Sequence, residues 1–467
     1  MTVHDDLAQV DAIVARARAA QARYEAEGSQ HRYDQAAQAA AWAIMEPGRN
    51  RALAELAVQT TGLGNVDDKI TKNHRKTLGL MRDIATAKTH GVISDNADTG
   101  IIEIARPMGV IGAVVPSTNP AATPANNIIN ALKCGNAIVL SPSPKGVPAC
   151  ELLLQYIHAE FDKIGLDHDL VLMVPAPGSK EKTQRMLETT DLLVVTGSQN
   201  NVKRAYSSGT PALAVGAGNV TVIVDETADL RAAAEKITAS KTFDNATSCS
   251  SENAAVVVDS IFDAFVAELA RAGGALVQDE AMIVSRLWPD GHLNRSVIAQ
   301  DADKMIVALG MDGQVPEGTK YLVVETAGIG PDHPLSGEKL SRVLALYRAS
   351  DFDAAVATTA RILAHQGAGH SVGLHSALPD RALRLGFEIP TCRVIVNQAH
   401  TFATGGAFNN GMPFSLSMGC GSWGGNSIDT NVHWRHFMQT TKVVREIPAR
   451  EPKVEDIFET YWATAGK

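Results

Sequence analysis

Residues 110–120 are Val-Ile-Gly-Ala-Val-Val-Pro-Ser-Thr-Asn-Pro, a β-branched run that ends in a polar turn. Such a run predicts a buried strand, because Val and Ile favour the extended backbone and the Pro and Asn that follow favour a turn. Similar runs lie on both sides of it, at 101–104, 137–140, 170–174, 192–195 and 220–224. A helical stretch over 149–161 lies among them. Strands that alternate with helices predict a mainly parallel sheet with helices on both faces.

A second alternating region begins after a helical stretch over 229–238. Its predicted helices cover about 260–272 and 351–364, and its predicted strands lie at 254–258, 321–324, 343–347, 372–374 and 393–397. Residues 5–60 and 67–88 show the periodicity of helices. The sequence therefore predicts an α/β protein of two units joined near residue 240, with helices before them. A glycine-rich loop over 404–426 is long enough to be functional.

Charge and cysteine content narrow the class of protein. Lys and Arg number 42 and Asp and Glu number 51 among 467 residues, a net charge of −9, which argues against a nucleic-acid-binding face. No apolar run approaches the roughly 20 residues of a membrane span, and the amino terminus lacks the pattern of a secretory signal. The five cysteines are scattered without a CxxC pair. We therefore expect a cytoplasmic protein with no disulfide framework, no metal site and no membrane partner.

Two polar turns hold the candidate catalytic residues. Cys249 lies in Ala-Thr-Ser-Cys-Ser-Ser, residues 246–251, rather than in the apolar run typical of a structural cysteine. It is either a nucleophile, which reacts as the thiolate, or an ordinary loop thiol. Asn119 follows the strand at 110–115, at the edge of a sheet where ligands bind. Its carboxamide is either an oxyanion donor or part of an Asn-Pro turn.

Gly197 and Ser198 form a third candidate element. They follow the strand at 192–195 and precede a helical stretch over 201–206. Backbone N–H groups at such a helix start can hold a phosphate. The GxGxxG and GxxxxGKS/T fingerprints are absent from the chain, so these two residues alone do not define a nucleotide site.

Six motifs together resemble those of the aldehyde dehydrogenase superfamily, and of its CoA-acylating branch in particular. They are Arg-Pro-Met-Gly-Val-Ile-Gly (106–112), Pro-Ser-Thr-Asn-Pro (116–120), Lys-Cys-Gly-Asn-Ala (133–137), the segment 243–249, Glu-Lys-Leu-Ser (338–341) and Gly-Cys-Gly-Ser-Trp-Gly-Gly-Asn (419–426). The resemblance extends from about residue 10 to residue 445. It implies two Rossmann-like, three-layer α/β/α domains and a small bridging β element used in oligomerisation.

The resemblance also implies a domain division and an oligomer. Residues 1–239 would form the cofactor-binding domain, with a bridging hairpin at about 92–106. Residues 240–432 would form the catalytic domain that carries the thiol, and residues 433–467 the bridging and carboxy-terminal tail. The family suggests a homodimer or homotetramer.

Residue roles follow from the same resemblance. Cys249 matches the catalytic thiol and Asn119 the oxyanion-hole carboxamide. The residues that match the site of NAD or NADP are Pro116, Ser117, Ser141, Pro142, Gly197, Ser198, Gly216 and Glu338. Val215 occupies the place where hydrolytic members carry a glutamate base, so water should attack the acyl-enzyme slowly and the thiol of CoA should accept the acyl group instead.

The implied reaction converts an aldehyde, CoA and NAD(P)⁺ reversibly into an acyl-CoA and NAD(P)H through a thioester on Cys249. The loop 397–406 resembles that of acylating enzymes whose substrate is sulfoacetaldehyde, with His400, Thr401 and Thr404 as donors for the substrate's anionic group. Acetaldehyde and succinate semialdehyde remain alternative substrates. A hydrolytic, CoA-independent aldehyde dehydrogenase and a non-catalytic binding protein on the same fold remain alternative functions.

Overall fold

The computed structural model describes residues 3–467 of the chain. The helices are α1 (Val3–Ala26), α2 (Gln30–Met45), α3 (Pro47–Thr61), α4 (Val66–Ile84), α5 (Ala122–Lys133), α6 (Val147–Ile164), α7 (Lys180–Thr189), α8 (Gln199–Tyr206), α9 (Leu230–Thr242), α10 (Phe262–Ala272), α11 (Glu280–Leu287), α12 (Ala302–Ala308), α13 (Phe352–His365), α14 (Pro379–Glu388), α15 (His400–Ala403) and α16 (Val454–Ala465). The strands are β1 (Gly91–Asn96), β2 (Ile101–Pro107), β3 (Val110–Val115), β4 (Ala137–Pro142), β5 (Val171–Met173), β6 (Leu192–Thr196), β7 (Ala212–Val215), β8 (Val220–Val224), β9 (Glu252–Val258), β10 (Gly274–Val277), β11 (Tyr321–Glu325), β12 (Val343–Ala349), β13 (Val372–His375), β14 (Val394–Val396) and β15 (Met438–Val444).

Two parallel sheets form the body of the protein and confirm the predicted α/β class. The first has five strands in the order β5-β4-β3-β6-β7, and the second has seven in the order β10-β11-β12-β9-β8-β13-β14. Strand β3, which contains the β-branched run of residues 110–115, is buried along its whole length at the centre of the first sheet. Its apolar residues can all be buried because helices cover both faces of a parallel sheet.

The strand at Val220–Val224 belongs to a different sheet from the one that its sequence position suggested. Its position in the chain predicted the first unit, but β8 pairs with β9 and β13 in the seven-stranded sheet. The chain therefore passes from the five-stranded sheet to the seven-stranded sheet between Val215 and Val220, about 20 residues before the division predicted at 239/240. The connection from β7 to β8 is short and leads directly from one sheet into the other.

A small antiparallel sheet lies apart from the other two. The hairpin of β1 and β2 pairs with β15, so that Ile101 lies opposite Val444 and Pro107 opposite Met438. The predicted bridging segments near 92–106 and 440–446 thus lie side by side. The tail, for which no helix was predicted, contains α16. Between residues 3 and 467 the structure has no helix that is both long and apolar enough to cross a membrane.

Candidate active site

A cavity of about 660 Å³ lies between the two parallel sheets. Loops at the carboxyl ends of β3, β4, β6 and β7 form one wall, and the segment that precedes β9 forms another. Cys249 and Asn119 both line this cavity. The predicted cofactor residues that line it are Pro116, Ser117, Ser141, Pro142, Gly197, Ser198, Gly216 and Glu338. The structure therefore brings all ten of these residues together.

Parallel strand register places a histidine beside the thiol. Cys249 lies just before β9 and His370 just before β13, and both strands flank β8. The two residues consequently meet at one sheet edge, where His370 Nε2 lies 3.3 Å from Cys249 Sγ. Gly218, just before β8, allows this close packing, because a Cβ there would lie 2.3 Å from the carbonyl oxygen of Cys249.

The thiol and the imidazole are both neutral in this site. Burial raises the pKa of Cys249 to about 12, and the nearby Glu338 carboxyl acts in the same direction. Burial lowers the pKa of His370 to about 3. Nε2 of His370 lies within hydrogen-bond distance of the protonated thiol, which is the geometry that proton transfer requires as the sulfur attacks.

A hydrogen-bonded chain leads from His370 into the protein. Its Nδ1 lies 2.7 Å from the hydroxyl of Ser371, and that hydroxyl lies 2.8 Å from His400 Nε2. When Nε2 of His370 accepts from the thiol, Nδ1 donates to Ser371 and Ser371 donates to His400. This polarity leaves Nε2 of His370 free to accept the thiol proton; the reverse polarity, in which His400 donates to Ser371 and Ser371 to His370, fits the same distances.

A buried lysine orients the carboxamide of Asn119. Lys72 Nζ donates to Asn119 Oδ1 at 2.9 Å. The amide nitrogen is then left for the cavity, with only a 3.4 Å contact to the Thr118 hydroxyl. Lys72 is itself held by the Asp244 carboxylate and, at 3.0 Å, by the Thr247 hydroxyl. This is the orientation that an oxyanion donor requires.

The segment before the thiol has an unusual backbone. Asp244, Asn245 and Ala246 all have positive φ values, between 48° and 60°. Non-glycine residues rarely adopt this region, and each costs roughly 1–3 kcal/mol. Hydrogen bonds hold the segment in place: the Asp244 N–H donates to the Asp68 carboxylate at 2.7 Å, and Arg342 Nε donates to Asn245 Oδ1 at 2.9 Å.

Other parts of the cavity wall suit a dinucleotide. Glu338 Oε1 and Ser143 Oγ are buried and have no hydrogen-bond partner within the described residues, and both side chains line the cavity. Ribose hydroxyls would satisfy them. Ser198 caps α8, since its Oγ accepts from the N–H of Asn201 at 3.4 Å, and the start of α8 faces the cavity as a phosphate site would.

No carboxylate stands where a hydrolytic base is expected. Val215 ends β7 and is buried, while its neighbours Gly216 and Ala217 line the cavity. Within residues 3–467, Glu338 is the one acidic side chain in the cavity wall.

The predicted substrate loop only partly reaches the cavity. Thr401 lines it, but His400 and Thr404 do not. His400 is buried on Ser371, and the Thr404 hydroxyl donates to the His400 carbonyl oxygen at 2.9 Å. Both follow from α15, a single helical turn that faces these side chains inward. His400 therefore contacts His370 only through the Ser371 hydroxyl.

Sequence reasoning missed His370 and Lys72. The signal for His370 was present, because it precedes its strand much as Cys249 precedes β9, in a parallel sheet. Lys72 carried no signal: a lysine in an N-terminal helix is normally solvent-exposed, whereas this one is 6% exposed.

The chain belongs to the aldehyde dehydrogenase family, which matches residues 2–415. Within that family it is 55% identical to the acylating sulfoacetaldehyde dehydrogenase of Cupriavidus necator, over 98% of this chain and 93% of that protein. The crystal structure of an acetylating aldehyde dehydrogenase from Geobacillus thermoglucosidasius has a TM-score of 0.91 at 31% identity, covering 97% of this chain and 99% of the other. The crystal structure of the propionaldehyde dehydrogenase of Rhodopseudomonas palustris, solved with bound CoA and an acylated cysteine, has a TM-score of 0.82 at 26% identity, covering 93% of this chain and 97% of the other. These relatives confirm the resemblance to the CoA-acylating branch.

Proposed function

We propose that this protein catalyses the reversible, CoA-acylating oxidation of a short aldehyde, with sulfoacetaldehyde as the favoured substrate. The balanced reaction is aldehyde + CoA + NAD(P)⁺ → acyl-CoA + NAD(P)H + H⁺. One observation carries the proposal: the Cys249 thiol lies 3.3 Å from His370 and lines a cavity with the oriented Asn119, while Val215 stands where hydrolytic members carry a glutamate. The 55% identity to the Cupriavidus necator enzyme supports the choice of aldehyde.

Thiohemiacetal formation uses three groups of this chain. Cys249 Sγ attacks the carbonyl carbon as its proton passes to His370 Nε2, 3.3 Å away. The oxyanion receives hydrogen bonds from the Asn119 amide and from the backbone N–H of Cys249. In the next step the thiohemiacetal carbon loses a hydride and its oxyanion becomes the carbonyl of the thioester; a bound nicotinamide would supply the hydride acceptor. Cys249 then carries the acyl group as a thioester, and the proton on His370 is released.

CoA completes the turnover by thiol exchange. Its sulfur attacks the thioester carbon, the bond to Cys249 Sγ breaks, and the CoA thiol proton returns to Cys249 by way of His370. Water competes poorly because it needs a base that Val215 does not supply, whereas a thiol is the stronger nucleophile.

The decisive experiment follows reduced nicotinamide by absorbance with purified protein, an aldehyde panel that includes sulfoacetaldehyde, and NAD or NADP, with and without CoA. Turnover that requires CoA supports the proposal, and sustained turnover without CoA overturns the acylating assignment. Cys249→Ala should abolish activity, while Cys392→Ala, at a half-buried thiol outside the cavity wall, is the matched control. The NAD and NADP arms determine the cofactor preference.

The proposal extends to assembly and location. The β1–β2–β15 sheet offers exposed edge residues such as Val443 and Val444, which favour a homodimer or homotetramer. Light scattering would measure the mass. The five cysteines are unpaired, which supports the cytoplasm as the compartment.

A further inference from the structure

Helix α4 presents three cationic side chains to the cavity. Lys72, Arg75 and Lys76 all line it, and their i, i+3 and i+4 spacing places them on one face of the helix. The chain as a whole carries a charge of −9, and Glu338 is the one acidic side chain of the described cavity wall. The cavity wall is therefore positively charged although the chain as a whole carries a net negative charge.

Two of these three cations already have partners. Lys72 is held by Asp244 and Asn119. Lys76 Nζ donates to the carbonyl oxygens of Gly405 and Ser415, at 2.5 and 3.1 Å. Both side chains are thus committed to the protein itself.

Arg75 differs from its neighbours. In the structure of residues 3–467 its guanidinium has no hydrogen bond and no ion pair, and it lies over the Phe402 ring, 4.8 Å from Cζ to the ring centroid. Burial lowers the pKa of Arg75, with no acidic side chain acting against it. Its five N–H donors form a fork suited to an anion. A half-buried cation without a counter-ion is costly, and an anionic ligand would offset that cost.

Arg75 stands on the Asn119 side of the thiol. The Phe402 ring packs on Phe243 with centroids 4.5 Å apart. Lys72 Nζ, which orients Asn119, lies 5.6 Å over that same Phe243 ring. The guanidinium therefore belongs to the part of the cavity wall formed by Phe243 and Phe402, next to the lysine that orients Asn119.

A second unpartnered group lies in the same wall. Thr401 is 6% exposed, and its Oγ1 has no hydrogen-bond partner among the described residues. It adjoins Phe402, on which Arg75 stacks. A buried hydroxyl that lines a cavity and has no hydrogen-bond partner can donate a hydrogen bond to a ligand bound there.

We propose that Arg75, assisted by Thr401, binds the anionic end of the substrate and selects a sulfonated aldehyde over a neutral one. This inference rests on the proposed function, because it concerns the same aldehyde site. A sulfonate has three oxygens: the guanidinium fork engages two, and the Thr401 hydroxyl donates to the third. The aldehyde end is then left free to reach Cys249.

The test compares kcat/KM for sulfoacetaldehyde, succinate semialdehyde and propionaldehyde in the CoA-dependent assay. The variants are Arg75→Gln, Arg75→Lys and Thr401→Val. Arg82→Gln is the matched control, because Arg82 is also a guanidinium of α4 over an aromatic ring, 4.9 Å from Phe414, but lies outside the cavity wall. Thermal melting of each variant checks the fold.

We expect Arg75→Gln to lower kcat/KM for sulfoacetaldehyde by about 100-fold, the usual scale for truncating one partner of a buried charge pair. The same variant should keep kcat/KM for propionaldehyde within about twofold of the wild-type value. Arg75→Lys should give an intermediate loss, since it keeps the charge and not the fork, and Thr401→Val a smaller one. Ethanesulfonate should inhibit the wild type competitively and the Arg75→Gln variant much less. A larger loss with succinate semialdehyde would assign the site to carboxylates and overturn the sulfonate choice.

Other outcomes separate the two proposals. Two results would overturn the role of Arg75 and leave the acylating function intact. One is a wild-type enzyme with equal CoA-dependent kcat/KM for all three aldehydes, and the other is an Arg75→Gln variant that loses kcat/KM equally for all three. Absence of CoA-dependent turnover with every aldehyde in the wild type overturns both.

Discussion

Lys72 Nζ donates a hydrogen bond to Asn119 Oδ1 at 2.9 Å, and this contact determines which face of the carboxamide meets the cavity. An amide has one donor end and one acceptor end. With the acceptor end bound to a buried ammonium group, the donor end is the one that faces the thiol. An oxyanion hole made from a side-chain amide thus depends on a lysine from a different structural element.

Lys72→Met should lower kcat/KM by about 10²-fold, since loss of one oxyanion donor costs on the order of 10²–10³. The amide would then be free to turn its oxygen toward the cavity. Lys69→Met is the matched control, because Lys69 also binds Asp244, at 3.1 Å, but does not touch the Asn119 carboxamide. Steady-state kinetics of the two variants should differ while their melting temperatures fall together.

A double-mutant cycle with Asn119→Ala strengthens this test. If Lys72 acts through Asn119, the two losses in kcat/KM should not add. Additive losses would mean that Lys72 contributes to catalysis independently of the carboxamide.

His370→Ala should slow acylation by roughly 10²–10⁴-fold, the usual contribution of a general base. Rapid-mixing measurement of the first turnover would report this step directly. Ser371→Ala, which leaves the imidazole but removes its Nδ1 contact, should give a smaller loss. A wild-type rate in His370→Ala would exclude the histidine as the base.

Alkylation of Cys249 by iodoacetamide should keep accelerating with pH in the wild-type protein. Burial raises the pKa of this thiol to about 12, so the thiolate fraction grows about tenfold for each pH unit between about 7 and 10. A small thiol in solution, with a pKa of about 8.5, levels off within that range. A plateau for Cys249 below about pH 9 would show that the thiol ionises near neutral pH, which contradicts a pKa raised by burial.

Asp244→Asn should reduce the free energy of unfolding by about 3–5 kcal/mol, because it leaves two buried lysines without their carboxylate. Asp263→Asn, at an exposed ion pair with Arg348, is the control and should cost less than about 1 kcal/mol. Urea unfolding at about pH 7 measures the free energy of unfolding of both variants.

The Asp244 ion pair should also depend on pH. Lys72 and Lys69 hold the pKa of Asp244 below its usual value, so the stabilisation by its carboxylate is present above the unfolded-state pKa and is lost as pH falls through the folded-state pKa. The difference between wild type and Asp244→Asn should therefore shrink below about pH 4. An unchanged difference there would contradict the ion-pair account.

Much of this architecture could be predicted from local patterns, because the buried strands carry long β-branched runs. β7 and β10 were missed: Ala212–Val215 and Gly274–Val277 have small residues where strands normally have branched ones. The sheet membership of β8 depends on which strands pair, and hydrophobic periodicity says nothing about pairing. Cys249 and Asn119 were found because their turns differ from apolar surroundings. Lys72 and Arg75 were not found. The role of Lys72 depends on partners that are distant in sequence, and that of Arg75 on the absence of a hydrogen-bond or ion-pair partner among residues 3–467.

Val215→Glu should make the enzyme hydrolyse its thioester. The side chain at 215 is buried at the end of β7, beside Gly216 and Ala217 in the cavity wall. A carboxylate there is costly in the apolar interior and is drawn toward the polar cavity, where it can activate water. We expect turnover without CoA to rise at least about tenfold over the wild type, measured as the rate at which reduced nicotinamide and the free acid form in the absence of CoA. Val215→Gln has nearly the same size and no basic group, so any disturbance of packing affects both variants alike. Equal hydrolysis in the two variants, with both folded, would mean that the missing carboxylate is not what directs the acyl group to CoA.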